Sequence, residues 1–254
     1  MSIPPDGTPL VLLNAFPVDR SQWEGLIAQL GDVLGEVAPF DIIAFDIPGI
    51  GEMPMTDEEP SLELIADAAV LAMREATGHE AAVWIGCSMG GYIAMAVAER
   101  EPTAVAGLGL IGTRSTADDA GGVAKRLEIA ETVEHAAHHP NPRSLAEGLI
   151  GTQGDGRELL VSAIADNVAK HSGAAIAWGQ RAMAARPDRT EVLRSVDAPA
   201  VAIIGENDAV ITQEDAEEMA QALGVDLIVL PGIGHLAAFE APQAVARALA
   251  PLFG

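Results

Sequence analysis

Residues 81–100 read Ala81-Ala82-Val83-Trp84-Ile85-Gly86-Cys87-Ser88-Met89-Gly90-Gly91-Tyr92-Ile93-Ala94-Met95-Ala96-Val97-Ala98-Glu99-Arg100. The apolar run up to Ile85 is the length of a buried strand, and the alanine-rich segment from Tyr92 has helical periodicity. Between them lies Gly86-x-Ser88-x-Gly90, a strand-to-helix turn with a serine at its apex. A serine there sits in strained backbone geometry, so the residues two places either side must lack side chains. The turn lifts the hydroxyl clear of the strand. It also aims the first amides of the helix, with their partial positive charge, at the same point, which suits an oxyanion.

Outward from this turn, strands and helices alternate. Pro9–Leu13, Asp41–Asp46, Val105–Ile111, Ala200–Gly205 and Asp226–Leu230 read as buried strands. Ser21 is the expected N-cap of a helix through Leu30, with Glu24 completing a capping box. Leu62, Ile65, Ala66, Ala69, Val70 and Met73 recur at helical spacing after Ser61, with Gly78 past the end. Helices are also expected over Gln213 to Leu223 and Gln243 to Leu252. Alternation of this kind implies a mostly parallel sheet covered by helices on both faces. Residues 115–195 carry helical periodicity without a convincing strand. They read as a helical cap inserted between core segments 1–114 and 196–254.

The chain has 254 residues, 49% of them hydrophobic, which excludes a disordered protein and is ample for a large core. Its 37 acidic and 14 basic residues give a formal charge of −23. Such a field repels phosphate backbones and anionic lipid, so neither nucleic acid nor a membrane is the expected partner. No apolar run approaches a bilayer span, and Met1–Gly7 has no signal-peptide character. The single cysteine, Cys87, rules out an internal disulfide and agrees with a reducing compartment. The expected setting is cytoplasmic.

In a parallel sheet the functional loops lie beyond the carboxyl ends of the strands. Those loops hold Gly205-Glu206-Asn207-Asp208, Pro231-Gly232-Ile233-Gly234-His235 and Asn14-Ala15-Phe16 beside Gly86-Cys87-Ser88-Met89-Gly90-Gly91. A serine hydroxyl is a weak nucleophile until an adjacent base takes its proton, and imidazole titrates near neutrality. With these motifs in the order serine, acid, histidine, the chain resembles the α/β-hydrolase superfamily, in its small esterase and lactonase group. Asp46-Ile47-Pro48-Gly49-Ile50-Gly51 is similar to the turn after that family's corresponding strand.

The resemblance implies an α/β-hydrolase fold with a helical cap. It implies hydrolysis of a small carboxylic ester or lactone with Ser88 as nucleophile, His235 as general base and Asp208 as the acid that orients it. Glu206 is the rival acid, set aside because the family motif falls on Asp208. Oxyanion donors are the backbone amides of Met89 and Phe16. The family's usual His-Gly pair aligns with Asn14-Ala15, a departure, and the short N-terminus leaves no room for a preceding strand hairpin. No cofactor and no metal are expected. The same triad also serves perhydrolases and carbon–carbon bond hydrolases, and the fold serves small-ligand receptors.

The remaining signals are weaker. Cys87 reads as a packed thiol with no catalytic part. His135, His138 and His139, near Pro140-Asn141-Pro142, read as a solvated cap surface and not as a metal site. Trp178 and Met183 either line the pocket or pack on the core. Gly49-x-Gly51 lacks the third glycine of a dinucleotide fingerprint.

Overall fold

The computed structural model describes residue 4, residues 7–34 and residues 41–253. Most of the Met1–Gly7 stretch considered for a leader therefore lies outside the described residues. Six strands form one sheet: β1 (Leu10–Leu13), β2 (Ile42–Phe45), β3 (Ala82–Cys87), β4 (Val105–Ile111), β5 (Ala200–Gly205) and β6 (Leu227–Leu230). Their spatial order is β2-β1-β3-β4-β5-β6, and every pairing is parallel. The expected α/β architecture is present.

Side chains of a strand alternate between faces, and here each face meets its own core. Val11 and Leu13 of β1, with Trp84, Leu108 and Leu110, pack against α2 (Leu62–Thr77), α3 (Met89–Arg100) and α9 (Gln213–Leu223). Leu10 and Leu12, with Val83, Ile85, Val201 and Ile203, pack against α1 (Glu24–Leu34), α10 (Ala237–Glu240) and α11 (Pro242–Leu249). The central strands β1 and β3 are buried along their whole length, because neither of their faces reaches water, while the edge strands β2 and β6 are half-buried. Trp84 is fully buried, and its indole N–H donates to the Ala104 carbonyl at 2.8 Å, so this buried donor is satisfied.

Helix ends follow their capping chemistry. Ser61 accepts from the Leu64 amide at the start of α2, and Gly78, at φ 71°, closes it in the left-handed region. At α1 the expected cap is corrected. Asp19, not Ser21, caps the segment, taking both the amide (2.9 Å) and the hydroxyl (2.5 Å) of Ser21 on Oδ1. A carboxylate two residues upstream is the stronger acceptor, so Arg20–Trp23 winds as a 3-10 turn and α1 begins at Glu24.

Between β4 and β5 lie α4 (Ala120–Val133), α5 (Pro142–Leu149), α6 (Arg157–Val168), α7 (Gly173–Ala184) and α8 (Thr190–Arg194). Helix α4 packs on α7, and α5 on α6. Among the described residues no helix is long and apolar enough to cross a membrane.

The order of strands reverses direction between β1 and β3, which are neighbours with their chain continuations on opposite sides. Loops leaving such a pair diverge and open a crevice at the carboxyl edge. The Asn14 loop and Ser88 flank it.

Candidate active site

Ser88 has φ 54° and ψ −115°, and it is the one non-glycine residue with positive φ among the described residues. Such a conformation costs about 1–3 kcal/mol and persists only where surroundings fix it. Its amide donates to the Ile111 carbonyl at 2.9 Å. Its own carbonyl accepts from Gly91 N at 2.9 Å, Tyr92 N at 3.3 Å and Thr113 Oγ1 at 2.8 Å. The flanking glycines are dictated by close approach. A Cβ on Gly86 would lie 2.2 Å from the Gly90 carbonyl oxygen, and one on Gly90 would lie 2.0 Å from that of Leu13.

The acid comes from the turn after β5. Asp208 Oδ1 accepts from Val210 N at 2.8 Å and Ile211 N at 3.0 Å, which fixes the carboxylate. His235, in the loop after β6, lies with Nδ1 at 3.0 Å from Oδ1 and 2.9 Å from Oδ2. Both side chains are about 1% exposed. Glu206 instead turns its carboxylate to the Gly232 amide at 2.8 Å, on the exposed surface. The structure thus brings Asp208 and His235 together and leaves Glu206 apart. Ser88 and His235 line one cavity of about 240 Å³, and the described residues form no hydrogen bond between them. Such bonds are often loose before a substrate binds.

Glu240, at the end of α10, belongs to no sequence motif. Its Oε1 accepts from Gly234 N at 3.0 Å. Its Oε2 accepts from Gly151 N at 3.0 Å, Thr152 N at 2.8 Å and Thr152 Oγ1 at 2.7 Å. His235 N also donates to the Leu149 carbonyl at 2.9 Å. The histidine loop is therefore tied to the chain between α5 and α6. A lone glutamate in a helix carries no pattern from which this could be read.

The first loop explains the Asn14-Ala15 departure. Asn14 is buried: its Nδ2 donates to Asp46 Oδ1 at 2.9 Å, and its Oδ1 accepts from Trp23 Nε1 at 2.8 Å. The side chain thus joins β1 to the end of β2 and takes no place in the cavity. Ala15 N donates to the buried Gln22 Oε1 at 2.9 Å, anchoring the backbone one residue before Phe16. The Phe16–Pro17 peptide is cis. Phe16 packs its ring on α7, where a Cβ on Gly179 would lie 2.3 Å from Cε2. Met89 is the first residue of α3, so its amide has no intrahelical acceptor.

The rest of the cavity wall is largely apolar, with Ile129, Ile176, Met183 and Ile211, but it includes Tyr92, Arg114, Arg126 and His139. Met183 therefore lines the pocket. Trp178 is buried and donates to the Glu58 carbonyl at 3.1 Å. His139 departs from the reading of a solvated surface: it borders the cavity, and burial lowers its pKa from the ordinary value. A larger groove of about 490 Å³, bordered by Asp46, Glu52, Lys170 and His171, touches none of Ser88, Asp208 and His235.

Cys87 is fully buried, with Sγ 3.8 Å from the His235 carbonyl oxygen. Burial, aided by the nearby Asp208 charge, pushes its thiol up to about 12. At pH 8 the thiolate fraction is then roughly one part in 10⁴. Iodoacetamide should leave the native protein unlabelled over hours at that pH and should label it once denatured. Labelling of the native protein within minutes would mean that the thiol is not packed.

A model of the alpha/beta hydrolase family matches residues 10–248, and the chain belongs to that family. The dihydrolipoyllysine-residue acetyltransferase component of the acetoin cleaving system of Pseudomonas putida is 28% identical over 246 residues, covering 94% of this chain and 61% of that protein. The chain spans less than two thirds of the length of the curated relatives it matches. Among solved structures, a thermophilic esterase from Thermogutta terrifontis, with malate bound, superposes with a TM-score of 0.87 at 26% identity. It covers all of this chain and 93% of that one. The enol-lactonase from Burkholderia xenovorans has a TM-score of 0.81 at 22% identity, covering 96% of this chain and 91% of that one.

Proposed function

We propose that this hydrolase cleaves a small carboxylic ester or lactone through an acyl-enzyme formed on Ser88. Ser88 Oγ attacks the carbonyl carbon while His235 Nε2 takes its proton, and the amides of Met89 and Phe16 receive the oxyanion. Collapse breaks the carbon–oxygen bond, and the imidazolium returns its proton to the leaving alkoxide. Water then repeats the sequence on the acyl-enzyme, with His235 as base, and frees Ser88. Asp208 holds Nδ1–H and stabilises the imidazolium, so that Nε2 faces the serine as an acceptor.

The observation that carries this reading is the pair of short contacts from His235 Nδ1 to Asp208, on an imidazole that shares a cavity with Ser88. The esterase and enol-lactonase of like fold support the choice of ester or lactone. Residues 115–195 act as the cap in this reading, with α4 and α7 supplying the cavity's Arg126, Ile129, Ile176 and Met183. The reading includes a cytoplasmic setting and a small-molecule substrate, with neither nucleic acid nor a membrane as partner.

Incubation with a fluorophosphonate should leave one adduct, on the peptide that contains Ser88, in proportion to the loss of p-nitrophenyl ester turnover. Absence of both adduct and turnover, with tight binding of a small ligand, would favour a receptor.

A further inference from the structure

The chain is strongly acidic, with 14 basic residues against 37 acidic ones, yet guanidinium groups gather at this cavity. Arg114, just past the end of β4, and Arg126, on α4, both line it with Ser88. Both also reach Asp118, through Arg114 Nη2 and Arg126 Nε at 2.5 Å each.

Asp118 has no need of either. Arg186 already grips it with two parallel bonds, Nη1 to Oδ2 at 2.7 Å and Nη2 to Oδ1 at 2.9 Å, and both side chains are buried. That guanidinium is further held 4.2 Å over the Tyr92 ring. A bidentate, buried pair of this kind is complete in itself. The other acid in reach is Asp215, whose Oδ2 is 3.6 Å from Arg114 Nη1. Three guanidinium groups therefore meet two carboxylates. The remaining contacts of Arg126 are neutral acceptors, Gln180 Oε1 at 3.1 Å and Met183 Sδ at 3.3 Å. An excess cation on a partly desolvated wall is costly unless an anion joins it.

We propose that the substrate carries a carboxylate, a few bonds from the scissile carbonyl, which Arg114 and Arg126 bind while Ser88 attacks. This rests on the ester-hydrolase reading above and narrows its substrate class. The apolar residues of the same wall, Ile129, Ile176, Met183 and Ile211, suit a short aliphatic spacer. A cavity of about 240 Å³ admits a molecule of that size. Carboxylate also matches the planar guanidinium fork better than a spherical anion does.

The test compares monomethyl adipate with its neutral isostere, methyl adipamate, by release of methanol. The wild type should prefer the anionic ester by about tenfold or more in kcat/KM, the scale of a hydrogen bond to a charged group. Arg114→Met and Arg126→Met should each bring that ratio toward one, and Arg126→Lys should retain part of it. Adipate should also inhibit p-nitrophenyl butyrate turnover at concentrations where adipamide does not, a comparison that needs no variant to fold. Equal inhibition by the two, or a wild-type ratio of one or less, overturns the carboxylate subsite while ester hydrolysis stands. Failure to cleave any ester, with no fluorophosphonate adduct on Ser88, overturns the reading beneath it instead.

Discussion

Replacing Ser88 with alanine should lower ester turnover by about 10⁴-fold or more while leaving the melting temperature within a few degrees. The size of the loss follows from the roles proposed here. Without Oγ there is no covalent intermediate, and what remains is binding plus the two backbone amides acting on a bound water. The stability expectation follows from the backbone. The bonds that hold residue 88 at φ 54° run through its own amide and carbonyl, to Ile111, Gly91, Tyr92 and Thr113. Alanine keeps all of them and has a Cβ like that of serine, so the strain is nearly unchanged. Turnover and thermal unfolding measured on one preparation separate the two effects. Turnover within tenfold of wild type, with the fold intact, would place the nucleophile elsewhere.

The segment around Ser88 could be read from sequence because its constraints are local. A strand buried on both faces, a glycine where Gly90 meets the Leu13 carbonyl and a helix starting at once leave a pattern in adjacent letters. The limits of α9, Gln213–Leu223, were legible for the same reason, with Thr212 before and Gly224 after. Asp208 and His235 were legible through motif order after successive strands, which the parallel sheet converts into proximity. The Arg114, Arg126, Asp118 and Arg186 cluster was not. Arg114 and Asp118 share the loop after β4, but Arg126 on α4 and Arg186 beyond α7 join them only through the tertiary fold, so no spacing encodes the cluster. Burial opposes Asp118's charge, yet hydrogen bonds from Arg186 and Arg126 outweigh it and hold the carboxyl below its usual range. Asn14 shows the converse. Its letter departs from the family's pattern, yet the structure uses it as a buried strut between Asp46 and Trp23. A departure in sequence can thus change what braces a loop without putting a new side chain into the cavity.

The second large effect is expected at Asp208. Asparagine there can keep the two turn amides, since Val210 N and Ile211 N both donate to Oδ1, which an amide oxygen can replace. That fixes the orientation of the new side chain and puts its NH₂ where Oδ2 now stands, 2.9 Å from His235 Nδ1. Two donors cannot share that bond. The retained oxygen, 3.0 Å from Nδ1, already accepts from both turn amides, so the NH₂ takes a lone pair at Nδ1 and the imidazole carries its proton on Nε2, where it cannot accept one from Ser88. Asp208→Asn should therefore reduce turnover by about 10³- to 10⁴-fold at neutral pH with little change in unfolding midpoint. Glu206→Gln is the matched comparison. Its carboxylate serves the Gly232 amide on the surface, so the expected change is less than about twofold. Proton NMR of the imidazole ring gives an independent readout, because the tautomer shifts in the first variant and not in the second. A large loss at Glu206 with a small one at Asp208 would reassign the acid and, with it, the direction from which His235 is held.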